Sequence, residues 1–521
     1  MSPSIIFFFI SLTGIFLSNI FIPFEQTKLN FFITTLSPFF LFFLAKLEKK
    51  KNQIPVKETI FYLLFIIFSV ISVFFAIDRE IAFESLLIYI SCYFYFIFAF
   101  NYKEILNKYL KWFLVTLSIF SCLIFLTDKI FCLNLFQEGA SMFLNYGHNQ
   151  IGNLLVMGII PIFPNFLSLI FFVFVLFSYS RSAYFSLILL LILKLIINKF
   201  NNKLALISGG IILFCIFFAV ITTHNIYLTK NKQLIGGRNK YFSYAISSII
   251  EKPLFGVGLD NFKFAVSKRL TNYGENTTTA HNIILDIFAE NGILAGIFFT
   301  LFLLSINYGR KFNNNLFMLL ALTFMFMTDF SYSFNIFLVI WFILLGLNIE
   351  SKKIIKNIIV PVVIIFCGVQ IILFSIILLK KGLWKQSIFI YPLQKTAYEV
   401  AIRENIILKN NQRAYFYLNK YKKIFGGVLS IFQEINFYKA LGDNGKVISL
   451  YEKLLVTRAS VDMDMIKQIY YFYIDLYGQP KAKIKMVGIL KQLKNNYSKK
   501  EKTSDFYKEL DTFCIKANVG C

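Results

Sequence analysis

Four side chains in this sequence have the types and positions to handle a charged, lipid-borne substrate. Arg181 follows directly on the apolar run FVLFSYS and opens another, SAYFSLILLL. Arg238 lies in IGGRNKYFSYAISSIIEKPLFGVGLDNF, and His281 in TTTAHNIILDIFAENGILAGIFF, just before an apolar run. His148, in NYGHNQIGNLL, also precedes an apolar run and is followed by Asn, as His281 is. Arginine stays charged at every working pH and grips phosphate through a planar fork. Histidine titrates near neutrality and takes a proton from a hydroxyl. Two Arg and a His at a membrane–water boundary suit a lipid diphosphate, whose headgroup sits at that depth. The chemistry implied is transfer from the diphosphate to an acceptor hydroxyl.

Each residue also has a plainer reading. Arg181 is equally placed to be an interfacial anchor, Arg238 a surface charge, and either His a cap or structural residue. No paired carboxylates, Asp-x-Asp or His/Cys cluster accompany them. No metal and no cofactor are expected, and leaving-group charge would fall to Arg. Gly256 and Gly258 in LFGVGLDNF signal a turn. They follow no strand and lack a third Gly, which rejects a dinucleotide fingerprint, and the absence of a Walker motif rejects an ATP-driven pump.

The elements that must hold these residues are helices in a membrane. Of 521 residues, 57% are hydrophobic and 16% charged, and the mean hydropathy is +0.66. A water-soluble or disordered chain is excluded by that balance. Long apolar runs recur without dyad alternation, so the fold class is all-α, a polytopic membrane protein. About thirteen spans are predicted, near 4–24, 30–46, 58–77, 81–100, 109–126, 150–164, 165–180, 182–198, 204–222, 284–306, 315–329, 335–349 and 358–380. Pro161 and Pro164 leave 150–180 open to either a short loop or a kinked pair.

The net charge of +25 does not point to nucleic acid. Lys and Arg concentrate in 46–57, 102–111, 199–203, 309–311 and 351–356. With this span count all five loops share one side, which the positive-inside rule makes cytoplasmic. The loops 127–149 and 223–283 and everything from 381 then lie outside. Of seven Cys, Cys514 and Cys521 sit together at the end, where a disulfide and two free thiols are both open.

Residues 381–521 change character to charged and helical. Segments 436–459 and 471–493 each read as an aromatic helix, a Gly turn (Gly442, Gly478) and an amphipathic helix. Their spacing is close to the ~34 residues of a tetratricopeptide repeat. The predicted domains are therefore a membrane domain, 1–380, and an extracytoplasmic helical, tetratricopeptide-like domain, 381–521, suited to binding.

Over about 175–305 the chain resembles the O-antigen ligase / O-antigen polymerase superfamily of bacterial membrane glycosyltransferases. The matching elements are SYSRSAYFSLILL, then GGRNKYFSYAISSIIEKPLFGVGLDNF with its Arg…Pro-Leu-Phe-Gly-x-Gly, then AHNIILDIFAENGILAGIFF with its His-Asn…Glu-x-Gly. The resemblance implies about twelve spans, a large extracytoplasmic loop matching 223–283, and a glycan on undecaprenyl diphosphate as donor. It implies inverting, metal-independent transfer, with Arg181 and Arg238 binding the diphosphate and His281 as base. His148 matches less firmly, and Asn282, Glu290 and Gly292 match as structural positions. The acceptor stays open among a glycolipid such as lipid A-core, a growing glycan and a protein, because the exported tail departs from a simple ligase. Two other classes remain: a lipid-linked glycan transporter, which would show inverted repeats, and a non-catalytic scaffold, in which Arg181, Arg238 and His281 would be freely replaceable. The topology is tested by a reporter fused after Lys385. An exported phosphatase should be active there; activity of a cytoplasmic reporter alone would overturn the span count.

Overall fold

The computed structural model describes residues 2–21, 28–48, 53–131, 148–178, 180–197, 238–266, 277–306, 313–350, 354–356, 359–457, 463–495 and 512–513. The predicted span 204–222, residues 223–237 and 267–276 of the loop 223–283, among them His224, and Cys514 and Cys521 lie outside them, as does the side chain of His148.

Every other predicted span coincides with a helix. They are α1 (Pro3–Phe21), α2 (Lys28–Leu47), α3 (Val56–Phe75), α4 (Arg79–Asn101), α5 (Lys103–Phe131), α6 (His148–Ile162), α7 (Phe166–Phe177) and α8 (Arg181–Ile197). After α9 (Arg238–Glu251) and the short α10 (Phe262–Val266) come α11 (Ile283–Ser305), α12 (Asn314–Thr328), α13 (Asn335–Asn348) and α14 (Ile359–Lys380). Four of the described helices, α2, α3, α4 and α11, are individually long and apolar enough to cross a bilayer, and six shorter apolar ones accompany them. The stretch at 150–180 is two helices: Pro161 lies in the last turn of α6, and the Asn165 side chain caps α7 at Leu167 N. This is an all-α, multi-pass membrane protein. Its centre is α4 and α13, whose residues 91–99 and 336–348 are buried on every side. A helix apolar all round must be enclosed by others.

The two ends of the bundle differ. At one end β1 (Gln53–Pro55) pairs antiparallel with β2 (Ile354–Lys356). Asn101 there receives the Gln53 N–H and donates to Gln53 O. Glu48 accepts both the N–H and the hydroxyl of Ser4. The described residues of the predicted basic loops 46–57, 102–111 and 351–356 therefore converge at this end.

The opposite end gathers the α3–α4 turn, the loop 253–261, His281 and the start of the tail. Asp78 caps α4, accepting from Glu80 N and Ile81 N. Asn261 clamps the Asp78 backbone, receiving its N–H at 2.7 Å and donating to its carbonyl at 3.1 Å. Ile77 N donates to Val257 O at 3.0 Å.

The tail continues as α15 (Trp384–Ile390), α16 (Lys395–Ile407), α17 (Asn411–Ile424), α18 (Gly427–Ala440), α19 (Asn444–Thr457) and α20 (Met463–Asn495). Gly442 turns between α18 and α19, and Gly478 breaks α20 in two, both with φ of 74°. Beside a small cluster of Trp384, Ala397 and Ala401 that joins α15 to α16, two larger apolar centres result. One joins α16 and α17 through Tyr398, Ile402, Leu418 and Tyr421. The other joins α18 to α20 through Ile435, Val447, Leu454 and Tyr473.

The feature on which the site depends is a break in α11. Gly292 has φ 85°, ψ 172°, so the helix is interrupted inside a membrane-spanning segment. Backbone groups freed in a bilayer need partners from the protein. The loop 253–258 supplies them: Ile293 N donates to Pro253 O, Gly258 N to Glu290 O and Val257 N to Ala289 O. The Ser72 hydroxyl joins Phe255 O and Glu290 O. A Cβ at Gly292 would overlap the Leu254 carbonyl, while one at Gly382, whose φ of 76° is similar, would meet nothing. Gly292→Ala should therefore lower thermal stability in detergent by more than the ~1–3 kcal/mol of backbone strain alone. Gly382→Ala should incur only the strain. Equal melting shifts for the two would count against the close approach.

Candidate functional site

His281 sits at the head of α11, with its backbone in the left-handed region at φ 58°. Three contacts hold it. The His281 N–H donates to the Thr279 hydroxyl at 3.3 Å, Ala280 N donates to Asp286 at 2.7 Å, and Asn282 caps the helix at Ile284 N and Leu285 N. Asp286 also accepts from the Tyr332 hydroxyl. The ring of His281 stacks on Tyr241 with centroids 5.2 Å apart and meets the edge of Phe330 at 5.1 Å.

Its Nδ1 lies 3.9 Å from Asp329, a charge-pair distance and too long for a hydrogen bond. Asp329 is fully buried and follows directly on α12. It is held by Asn149 at 2.9 Å and by the Ser331 hydroxyl at 2.6 Å. Burial raises its carboxyl above the ordinary range, and Arg238 opposes that shift. His281 is displaced the other way, down to about 4, first by burial and then by Arg238. One arginine thus acts on both groups. Arg238 opens α9, the helix that carries Tyr241, so the aromatic stack and the charge arrive together.

Arg181 enters through its neighbours. Asn149, which donates to Asp329, receives the Ser180 hydroxyl at 3.0 Å. Ser182 bonds Asn153 at 3.4 Å, and Asn153 donates to Ser331 at 2.7 Å. Ser180 also accepts the Ala183 N–H, fixing the first turn of α8. Half-buried Arg181, between Ser180 and Ser182, is thereby tied to the Asp329 network. His148 opens α6 beside Asn149.

The structure stacks His281 on Tyr241 of the helix that Arg238 opens, and ties the serines flanking Arg181 to Asp329 through hydroxyls and amides. Sequence reasoning missed Asp329, Asn149, Asn153 and Tyr241. Asp329 had a usable signal: a lone carboxylate at the end of an apolar run is expensive in a membrane unless it has a task.

A neutral imidazole, a guanidinium and a buried carboxylate at one end of a helical bundle define a multi-pass membrane protein with an interfacial polar site. Residues 166–300 match the family model described as O-antigen ligase, over the segment where the sequence resemblance was found. That match supports a membrane glycosyltransferase-type function. No curated protein and no solved structure matches the chain significantly.

The free protein should show His281 titrating near 4, against an ordinary value of 6.5. Since the folded value lies below the unfolded one, protons between these values favour the unfolded chain. This residue therefore reduces stability as pH falls from about 6.5 toward 4. Arg238→Gln should raise the midpoint, read by NMR of labelled histidine. Titration near 6.5 in both proteins would refute the coupling.

Proposed function

We propose that the protein transfers a glycan from undecaprenyl diphosphate to an acceptor hydroxyl on the outer face of a bacterial inner membrane, with the tail outside. The acceptor is a glycolipid such as lipid A-core. The observation that supports this most is the placement of Arg238 against a neutral His281, on the segment that matches the family.

Arg181 and Arg238 bind the diphosphate. The acceptor oxygen attacks the anomeric carbon, its proton passes to His281, and the sugar–phosphate bond breaks. The electron pair leaves on undecaprenyl diphosphate, where the two guanidinium groups meet its charge. Asp329 faces Nδ1 and stabilises the imidazolium that forms, as a carboxylate does beside a catalytic histidine. A histidine that titrates near 4 is a weak base in the free protein. An anionic diphosphate neutralises Arg238 and removes one of the two causes of that depression, so the base strengthens when donor is bound.

Arg181→Ala and Arg238→Ala should weaken donor binding, each by about ten- to a hundredfold, from ~1.5–3 kcal/mol per charge-assisted contact. Arg181→Lys should rescue poorly, since a point charge does not reproduce the fork. His281→Ala should spare donor binding and cut transfer by ~10²–10⁴-fold. The acid limb of kcat, which reports the bound complex, should lie at higher pH than that of kcat/KM. Activity should persist in chelator. Wild-type transfer by all three alanine variants, with insertion verified, would favour a scaffold over an enzyme.

A further inference from the structure

The tail is hydrogen-bonded to the turn between α3 and α4, and that turn backs onto the site. Lys395, the first residue of α16, donates through Nζ to the buried Asp78 at 2.8 Å and through its N–H to Glu80 at 3.1 Å. At the far end of the same hairpin, Gly426 N donates to Ile77 O at 2.6 Å. Residues 77–80, the turn between α3 and α4, are thus held by the tail on one side. On the other side the same turn carries Val257 and Asn261 of the loop 253–261. That loop satisfies the break in α11 and follows directly from α9, the helix opened by Arg238.

We propose that the hairpin of α16 and α17 is a brace for the donor site, with Lys395 and Asp78 as positioning residues. The geometry is a clamp in series: tail hairpin, α3–α4 turn, loop 253–261, then α9 and α11 together. Asp78 is the shared element. One oxygen caps α4, the other takes the lysine, and its backbone is read by Asn261. Removing the lysine leaves a buried carboxylate without its cation, which costs more than the pair is worth intact. The turn then loses its reason to stay where Asn261 needs it. The link to donor binding rests on the transferase reading above; the brace itself does not.

The test uses the full chain in detergent or nanodiscs and reads amide hydrogen exchange without substrate. Lys395→Met should speed exchange at residues 256–262 by about tenfold or more relative to wild type, while α4 and α13 stay protected. It should also raise the KM for an undecaprenyl-diphosphate-linked glycan about tenfold, with kcat changed much less. Lys395→Arg should restore both, because its cation can reach the same carboxylate. Lys439→Met is the control. Lys439 bonds the Tyr451 hydroxyl at 2.7 Å, away from the turn, and its loss should move neither reading.

Should Lys395→Met fail to insert, Gly426→Pro decides. Its φ of −92° and the extended Phe425 before it are close to what proline needs, and the substitution removes the N–H that holds Ile77 while its ring carbons press on the Ile77 carbonyl, so the contact is lost. It should speed exchange in the same loop. Unchanged exchange at 256–262 in a folded variant, or equal acceleration throughout the chain, would overturn the brace. Faster loop exchange with an unchanged KM would overturn its link to the donor site. If the wild type transfers nothing, the transferase reading fails and exchange alone judges the brace.

Discussion

A bilayer offers no partners to an interrupted helix, and that constraint organises this protein. The break at Gly292 exposes the carbonyls of Ala289 and Glu290 and the N–H of Ile293 inside a spanning segment. The loop 253–258 meets all three, and it does so by backbone hydrogen bonds that require its own glycines. Gly256 and Gly258 hold φ of 63° and 98°, and a side chain on either would strike Glu290 or Ala76. The loop is therefore a structural member of the membrane domain. Because it leads out of α9, the repair of one helix also places Arg238 beside His281.

Electrostatics at the site follow from the same crowding. A buried carboxylate and a nearly buried imidazole 3.9 Å apart would ordinarily favour an ion pair. Here Asp329 is supplied with donors from Asn149 and Ser331, and Arg238 supplies the positive charge, so the imidazole can remain neutral. A guanidinium that already balances the carboxylate suppresses a second cation next to it. The arrangement suits a group that must receive a proton only after an anion has arrived.

The network also links helices distant in sequence. Asn149 and Asn153 on one face of α6 reach Asp329 and Ser331 after α12, and Ser180 and Ser182 at the head of α8. Hydrogen bonds between helices add to packing where lipid provides no hydrophobic drive for association. The helices that deliver the site residues are thus held together by the polar groups of the site itself.

Much of this was legible in the chain. Long apolar runs without the alternation of a barrel strand demanded spanning helices, because only helices and closed barrels satisfy the backbone in lipid. The positions of Lys and Arg predicted which loops share a side, and the described residues of loops 46–57, 102–111 and 351–356 do meet at one end. Gly256, Gly258, Gly442 and Gly478 marked turns, since only glycine takes positive φ without strain. Arg181, Arg238 and His281 stood out as polar residues beside apolar runs. Pairings between distant segments were not legible. Nothing local in Asp329 says that it faces His281, and nothing in Lys395 says that it answers Asp78. A carboxylate, an amide or a lysine is the same side chain wherever it lies. Its partner, its burial and hence its proton affinity are set by helices that meet only when the whole bundle has closed.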